Sequence, residues 1–293
     1  MSTTKTGIEW TDRTWNPVRG CTRISEGCRN CYAERVAARF SDPGGPFHLF
    51  ADRNKSGSKW TGSVQLVHSQ LAAPRSWRKP CKIFVNSMSD LFHEALSVHA
   101  IAQVFEVMAE CPQHTFQVLT KRPKEMHELL TDEKLWKLFP SLAPSQRRHV
   151  WLGVSIEDQK TADERLIWLQ KTPAALRFIS YEPALAPVAT VLQPFLSPAH
   201  LPGRHVKLGP LNEWIVDVDG AHIMWRGIDW AIAGAESGPG ARPMDEQWIR
   251  DVKNQCVAAD IPFFYKQNVG KGRKVSTPEL DGRTWTDFPE VRR

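Results

Sequence analysis

The sequence predicts an α/β protein with a partial (β/α)6-type TIM-like barrel of parallel strands. Three observations predict it: six short apolar runs, amphipathic helical segments between them, and polar residues where each run ends. Most runs begin about 30 residues apart, the length of one strand and helix unit. The predicted strands are residues 82–87, 115–120, 149–155, 176–182, 229–237 and 261–267.

The runs are nearly continuous in apolar residues, which is typical of parallel strands covered on both faces. Between them, residues 98–109 and 248–259 place apolar side chains at helical spacing, which predicts two of the covering helices. A further helix is predicted directly after Cys31. Strands alternating with helices in this way indicate either a barrel or an open doubly wound sheet.

Two features favour the barrel over the doubly wound sheet. No G-x-G-x-x-G phosphate loop follows any predicted strand, and polar residues end every strand instead of gathering at one switch point. The carboxyl ends of all strands contribute to the site of a barrel. The polar residues at these ends are Asn86, Ser87, Asp90, Thr120, Lys121, Ser155, Glu157, Glu182, Glu236, Ser237, Lys266 and Gln267.

The whole chain, residues 1–293, is predicted to be one domain with two insertions and an extension. The insertions, near 41–62 and 194–227, are rich in Gly and Pro, and the second contains a hairpin pattern at 213–225. Each is either a lid or substrate-recognition insert, or a tolerated surface loop. Residues 268–293 form the C-terminal extension.

Composition excludes several classes of protein. The chain has no run of eighteen apolar residues, and its first residues resemble neither a secretory nor a transit signal, so we expect a cytoplasmic protein without a membrane span. Six cysteines in 293 residues are too few for a disulfide scaffold. The net charge of +6 weakly favours an anionic partner.

Three cysteines lie within eleven residues, in a C-x6-C-x2-C arrangement of Cys21, Cys28 and Cys31. Thiolates at this spacing suit three corners of an iron-sulfur cluster or three positions of a zinc site. No second cysteine pair lies nearby to close a structural zinc site, so an open fourth position favours a cluster. Structural zinc and unmetallated core cysteines stay open as alternatives. The remaining cysteines, Cys81, Cys111 and Cys256, are predicted to be small buried hydrophobes.

The segment 16–40 resembles the radical SAM superfamily, and around the cysteines it resembles spore photoproduct lyase. This chain differs from the usual pattern by three extra residues between the first two cysteines and by Glu34 in place of a basic residue. The matching residues are Asn16, Pro17, Gly20, Cys21, Cys28, Cys31, Tyr32 and Ala33.

The full chain also resembles a phage-borne and bacterial three-cysteine-motif family of unassigned function. The motifs that carry this resemblance are residues 7–11, 85–93, 119–123, 151–157, 180–183, 234–244 and 280–285.

The resemblance implies a [4Fe-4S] cluster on the three cysteines and S-adenosylmethionine as the second cofactor. It implies reductive cleavage of S-adenosylmethionine to a 5′-deoxyadenosyl radical, with an electron donor of the flavodoxin or ferredoxin type. By the same resemblance, the methionine ammonium is expected to contact Asn86, Ser87 and Asp90. The carboxylate or ribose is expected to contact Lys121 or Ser155.

Glu182 and Glu236 are the predicted catalytic residues, because each acid ends an apolar strand where burial is costly without a partner. The segment 236–243 is either an anion cradle of backbone N–H groups or a simple turn. For Lys121 and Arg122, solvated charges opening a helix are the alternative to a ligand contact.

A nucleic acid or nucleotide is the expected substrate class. The residues behind this expectation are the basic side chains Arg122, Lys124, Lys266, Lys271, Arg273 and Lys274 and the loop tryptophans Trp10, Trp15 and Trp60, for which rim packing is the alternative. Two other functions stay open. One is a zinc-stabilised nucleic-acid-binding protein without catalysis, and the other is a cluster-bearing partner subunit of another enzyme.

Overall fold

The computed structural model describes residues 6–54, 57–189, 206–208, 213–218, 221–270 and 273–290. Its centre is a curled, half-barrel sheet of eight strands that lie side by side in chain order. The strands are β1 (Arg13–Trp15), β2 (Lys82–Val85), β3 (Thr115–Thr120), β4 (Val150–Ile156), β5 (Leu176–Tyr181), β6 (Trp230–Gly234), β7 (Phe263–Gly270) and β8 (Arg273–Ser276). Neighbours from β1 to β7 pair in parallel, and β8 returns antiparallel to β7.

The α/β class is confirmed, and β2 to β7 coincide with the six predicted strands. The prediction missed β1, which has only three residues and too short a pattern to show an alternation. β1 pairs with β2, and Trp15 lies opposite Val85, a residue seventy positions later in the chain. Strand β7 continues to Gly270, so the sheet extends into the predicted C-terminal extension.

Helices follow most of the strands, as predicted. The structure has α1 (Tyr32–Arg39), α2 (Val98–Glu110), α3 (Pro123–Thr131), α4 (Gln159–Lys171) and α5 (Glu246–Ala258), with short helical segments at His68–Leu71 and Glu133–Leu138 and 3-10 turns at Glu26–Cys28, Ala73–Ser76, Pro140–Leu142 and Pro144–Gln146. Helix α2 begins where the Ser97 hydroxyl accepts the Ala100 N–H, and α4 begins at a capping box between Asp158 and Thr161. Among the described residues, no helix is long and apolar enough to cross a membrane.

Short antiparallel strand pairs lie outside the main sheet, some of them within the two insertions. The predicted hairpin is confirmed as Glu213–Val218 paired with Ala221–Arg226, with Val206–Leu208 beside it. The rest of that insertion before residue 221, at 194–205, 209–212 and 219–220, lies outside the described residues. The other short pairs are Ala51–Asn54 with Gly57–Trp60, Val18–Arg19 with Gln65–Leu66, and Glu279–Leu280 with Arg283–Thr284.

The two faces of the sheet bury different side chains. The outer face packs against α2 to α5, whereas the inner face carries a separate aromatic cluster. Gly153 leaves room for one ring of that cluster, because a Cβ atom there would lie 2.4 Å from the ring of Phe178. The buried members of the cluster are Trp10, Phe84, Trp151, Leu176, Phe178, Trp230, Ile232 and Phe264.

The three tryptophans considered for base stacking are all buried. Trp10 and Trp15 are 2% exposed and Trp60 is 6% exposed. Trp15 belongs to β1 and not to a loop, and its indole N–H donates to the Gln70 carbonyl at 2.8 Å. All three pack into the core, and Trp10 and Trp60 also line the cavity described below.

Candidate cofactor site at the strand ends

A cavity of about 490 Å³ lies where the carboxyl ends of the parallel strands face the cysteine segment, defined here as residues 16–31. Its floor belongs to the apolar inner face and includes Ile8, Trp10, Phe84 and Leu119. All ten predicted site residues line it: Cys21, Cys28, Cys31, Asn86, Ser87, Asp90, Lys121, Ser155, Glu182 and Glu236. The structure thus brings these residues together, while their individual roles remain predictions.

The three cysteines of the segment are free thiols at the cavity wall. Burial raises the pKa of Cys21 to about 12, and the Asp90 carboxylate adds to the effect while Arg122 opposes it. Burial also raises the pKa of Cys31, with a contribution from Cys28. Both thiols are therefore protonated at neutral pH unless a positively charged group joins them.

The donor set of this wall consists of three thiols, the donor type that iron-sulfur clusters take. In the described part of the chain, no three His, Cys, Asp or Glu side chains are placed to hold one metal ion. Three ligands of a cluster bind different irons, so they need not approach one another as closely as three ligands of a single zinc. The three thiols agree with the predicted cluster in donor type and in number, and the cluster itself stays a prediction.

The first anchor of the cysteine segment is a buried network at the ends of β2 and β3. Asp90 accepts hydrogen bonds from Thr120 Oγ1 at 2.7 Å and from Arg122 Nη1 at 3.2 Å. Arg122 Nη2 in turn donates to Thr22 Oγ1 at 2.6 Å, and His93 Nε2 lies 2.9 Å from the same hydroxyl. The residue after Cys21 is thereby fixed to the sheet.

The second anchor is Glu157, directly after β4. This buried carboxylate accepts from Ser25 Oγ at 3.0 Å, from Arg165 Nη1 at 3.1 Å and from Lys121 Nζ. Burial by itself would raise the pKa of Glu157, but the charges of Lys121 and Arg165 outweigh it and lower that pKa. Gly27 packs against the carboxylate, since a Cβ there would lie 2.4 Å from Oε1.

The third anchor is the segment 236–243, which follows β6. Glu236 accepts from Asn30 Nδ2 at 2.9 Å and from Arg242 Nη2 at 2.6 Å, and the same Arg242 nitrogen donates to the Glu26 carbonyl at 2.8 Å. Arg35 donates to the Ser237 carbonyl at 2.8 Å. The segment thus accepts hydrogen bonds at its carbonyl oxygens and at the Glu236 carboxylate, which also accepts the Arg242 backbone N–H at 2.9 Å. Its role as an anion cradle for a ligand stays a prediction.

Glu34 stands where the radical SAM pattern has a basic residue. It is buried and joins α1 to the first insertion. It accepts from Arg23 Nε at 3.0 Å and from the Trp60 backbone N–H at 2.8 Å. Only 1% of its side chain is exposed. Glu34 therefore connects Arg23 of the cysteine segment to the strand Gly57–Trp60 of the first insertion.

Three further predicted residues have defined partners. Glu182 pairs with Lys266 at 2.5 Å, and the Ser87 hydroxyl donates to Asn16 Oδ1 at 3.2 Å. Asn86 Oδ1 accepts the Val18 N–H at 3.3 Å, which leaves its Nδ2 without a partner among the described residues. The group that Asn86 offers a ligand is thus a donor, which suits an acceptor atom rather than an ammonium.

The basic residues behind the nucleic-acid prediction are mostly paired with acids. Arg122 is 4% exposed, so the solvated-charge alternative is wrong for it. Lys274 pairs with Glu9 at 2.7 Å. Lys124 pairs with Glu128 at the surface, Lys271 lies outside the described residues, and only the backbone of Arg273 is described.

Sequence reasoning assigned no role to several residues that hold the site together. They are Thr22, Asn30, His93, Arg165 and Arg242. Glu157 was noted only as a polar strand end. Thr22, Asn30 and His93 have partners far along the chain. Arg165 and Arg242 pair with acids eight and six residues away, spacings other than the i,i+3 and i,i+4 pairs of a helix.

The fold and the cavity define an α/β protein with a candidate cofactor site at the carboxyl ends of a curled parallel sheet. By comparison with known families, the chain belongs to the family described as Protein of unknown function (DUF5131), which matches residues 5–289. No curated protein and no solved structure gives a significant match to the chain.

Proposed function

We propose that the protein is a radical SAM enzyme that holds a [4Fe-4S] cluster on Cys21, Cys28 and Cys31 and cleaves S-adenosylmethionine reductively. A partial (β/α)6-type TIM-like barrel is part of this proposal. The observation that carries it is the convergence of three thiols and the polar strand ends on one cavity. The resemblance of the cysteine segment to that superfamily supports the same conclusion.

When bound, the two cofactors supply a one-electron reduction of the sulfonium, which gives methionine and a 5′-deoxyadenosyl radical. A flavodoxin- or ferredoxin-like protein is the proposed source of the electron. The volume of about 490 Å³ lies within the range of small-molecule sites. Trp10 and Phe84 give the cavity an apolar floor, which disfavours water on that side.

The chain's own residues contribute preorganisation. Arg122, Glu157 and Arg242 attach the cysteine segment to the ends of three separate strands, so the thiols stay in place before any cofactor binds. Burial keeps Cys21 and Cys31 protonated, so binding of a cationic cluster releases those protons. Both thiols are poor nucleophiles without it.

The two predicted catalytic acids differ in their surroundings. Glu236 is occupied by Arg242 and Asn30, and we assign it a positioning role. Glu182 faces the cavity in a pair with Lys266, and it remains the catalytic candidate for proton transfer to or from a substrate. A nucleotide or nucleic acid remains the proposed substrate class, recognised by its base because the neighbouring cations Lys266 and Lys274 are already paired.

The test is metal and sulfide analysis of full-length protein purified without oxygen, followed by a cleavage assay with S-adenosylmethionine and dithionite. We expect a brown protein with about four iron and four sulfide per chain, and 5′-deoxyadenosine among the products. One zinc per chain and no iron would instead establish the zinc-stabilised alternative. Iron without 5′-deoxyadenosine would establish the partner-subunit alternative.

A further inference from the structure

The pairing of β6 with β7 is irregular at the cavity. Ala233 lies opposite Tyr265, but the next residue, Gly234, lies opposite Gln267, so Lys266 is an extra residue in β7. Successive side chains of a regular strand point to opposite faces. The bulge interrupts this alternation, so that the neighbouring residues Lys266 and Gln267 both line the cavity.

Gln267 presents an unused acceptor at this wall. Its side chain is 1% exposed, and its Nε2 donates to the Ala235 carbonyl at 2.6 Å, which fixes the orientation of the amide. The Oε1 atom has no hydrogen-bond partner in the described part of the chain. Gly234 makes room for the side chain, since a Cβ there would lie 3.2 Å from Gln267 Cγ. A buried acceptor without a partner, on a residue that lines a cavity, is satisfied when a ligand donates to it.

Lys266, the preceding residue, presents a donor at the same cavity. Its Nζ donates to Glu182 at 2.5 Å, and an ammonium has three N–H groups, so donors remain for a ligand. The Glu182 carboxylate balances the charge of the lysine. The two neighbouring residues therefore offer one donor and one acceptor without a net charge.

We propose that Lys266 and Gln267 form a substrate subsite for an uncharged amide edge in which N–H and C=O lie side by side, as in the lactam of a nucleobase. The C=O accepts from Lys266, and the N–H donates to Gln267. This inference rests on the proposed function, because it assigns the substrate of the same cavity. It places recognition on the base edge and requires no phosphate.

The experiment compares uracil and inosine with 1,3-dimethyluracil and 1-methylinosine, which lack the lactam N–H, by calorimetric titration of the full-length protein. We expect the parent compounds to bind wild type about tenfold more tightly, the effect of one satisfied hydrogen bond at a buried acceptor. Gln267→Met should abolish that difference.

The matched control is Gln117→Met. Gln117 is also fully buried, its Nε2 donates to the Trp10 carbonyl at 3.3 Å, and its Oε1 also lacks a partner among the described residues. It is not among the residues that line the cavity. This variant should keep the tenfold preference for the parent compounds.

Three results would overturn the subsite: no binding of either parent compound, equal binding of the methylated compounds to wild type, or loss of the preference in Gln117→Met as well. Iron content is measured on the same samples. Lactam recognition by a protein that binds no iron contradicts the proposed function alone. Iron binding without lactam recognition contradicts the subsite alone.

Discussion

Arg122 Nη2 lies 2.6 Å from Thr22 Oγ1, and this contact joins the end of β3 to the residue that follows Cys21. The same guanidinium pairs with Asp90 and Glu94 while its side chain is only 4% exposed. The place of the first cysteine is therefore set by charges one hundred residues away in the chain.

The six cysteines should divide into two groups. Changing Cys21, Cys28 or Cys31 to Ala should abolish iron binding, because each removes one thiolate from the shared cavity. Cys81→Ala, Cys111→Ala and Cys256→Ala should keep the iron at a cost of about 1 kcal/mol, since Cys111 and Cys256 lie in the core behind the sheet. Cys81 was predicted to be buried and is only partly buried against the same core. Iron analysis and denaturant titration check both statements. Loss of iron from Cys256→Ala would contradict the ligand assignment.

Gly20→Ala should disrupt the cysteine segment far more than Gly44→Ala. Both glycines have a left-handed φ, of +86° and +83°, so the backbone strain is matched at about 1 to 2 kcal/mol. A Cβ at Gly20 would also lie 1.8 Å from the Ser63 carbonyl oxygen, whereas a Cβ at Gly44 meets nothing within 4 Å. Thermal unfolding and iron content of the two variants measure the difference. Equal effects would show that Ser63 moves aside freely.

Glu157→Gln should destabilise the fold by about 3 kcal/mol, because it leaves the charges of Lys121 and Arg165 without their buried partner. It should also lower iron retention, since Ser25 loses its charged acceptor. Denaturant unfolding and iron analysis measure the two effects. The control is Glu128→Gln, whose pair with Lys124 is more than half exposed and should contribute within about 0.5 kcal/mol. Similar costs for both variants would refute the anchoring role of Glu157.

The stability of the fold should fall as the pH falls below the ordinary histidine value of 6.5, in part through His93. Burial lowers the pKa of His93, and the neighbouring Arg122 lowers it further, while Glu94 and Asp90 oppose both. The folded state thus favours the neutral ring, whose Nδ1 accepts the Ala95 N–H at 3.1 Å. The contribution of the neutral His93 ring to the free energy of unfolding is complete above pH 6.5 and is lost as the pH falls through the lowered pKa.

The measurement is the free energy of unfolding between pH 8 and pH 5. His93→Gln should show a shallower decline than wild type, because the variant has no ring to protonate at this position. The exposed His48 serves as the control, and His48→Gln should follow the wild-type curve. A wild-type slope in His93→Gln would assign the pH dependence to other groups.

The sequence by itself determined the α/β class, the places of β2 to β7, the main helices and the residues that gather at the cavity. These features follow from local periodicity: apolar runs make strands, helical spacing makes helices, and parallel strands bring their carboxyl ends to one edge. The three cysteines were evident from their spacing alone. Strand β1 was not, because three residues carry too little pattern.

Only the tertiary structure decided which partner each charge has. Ser25 meets Glu157 across 132 residues and Asn30 meets Glu236 across 206, so neither contact leaves a local pattern. The sequence left both a ligand contact and a solvated charge open for Arg122, and the fold buries it. The bulge at Lys266 likewise depends on the register of β6 against β7, and register is set by packing between strands rather than by either strand alone.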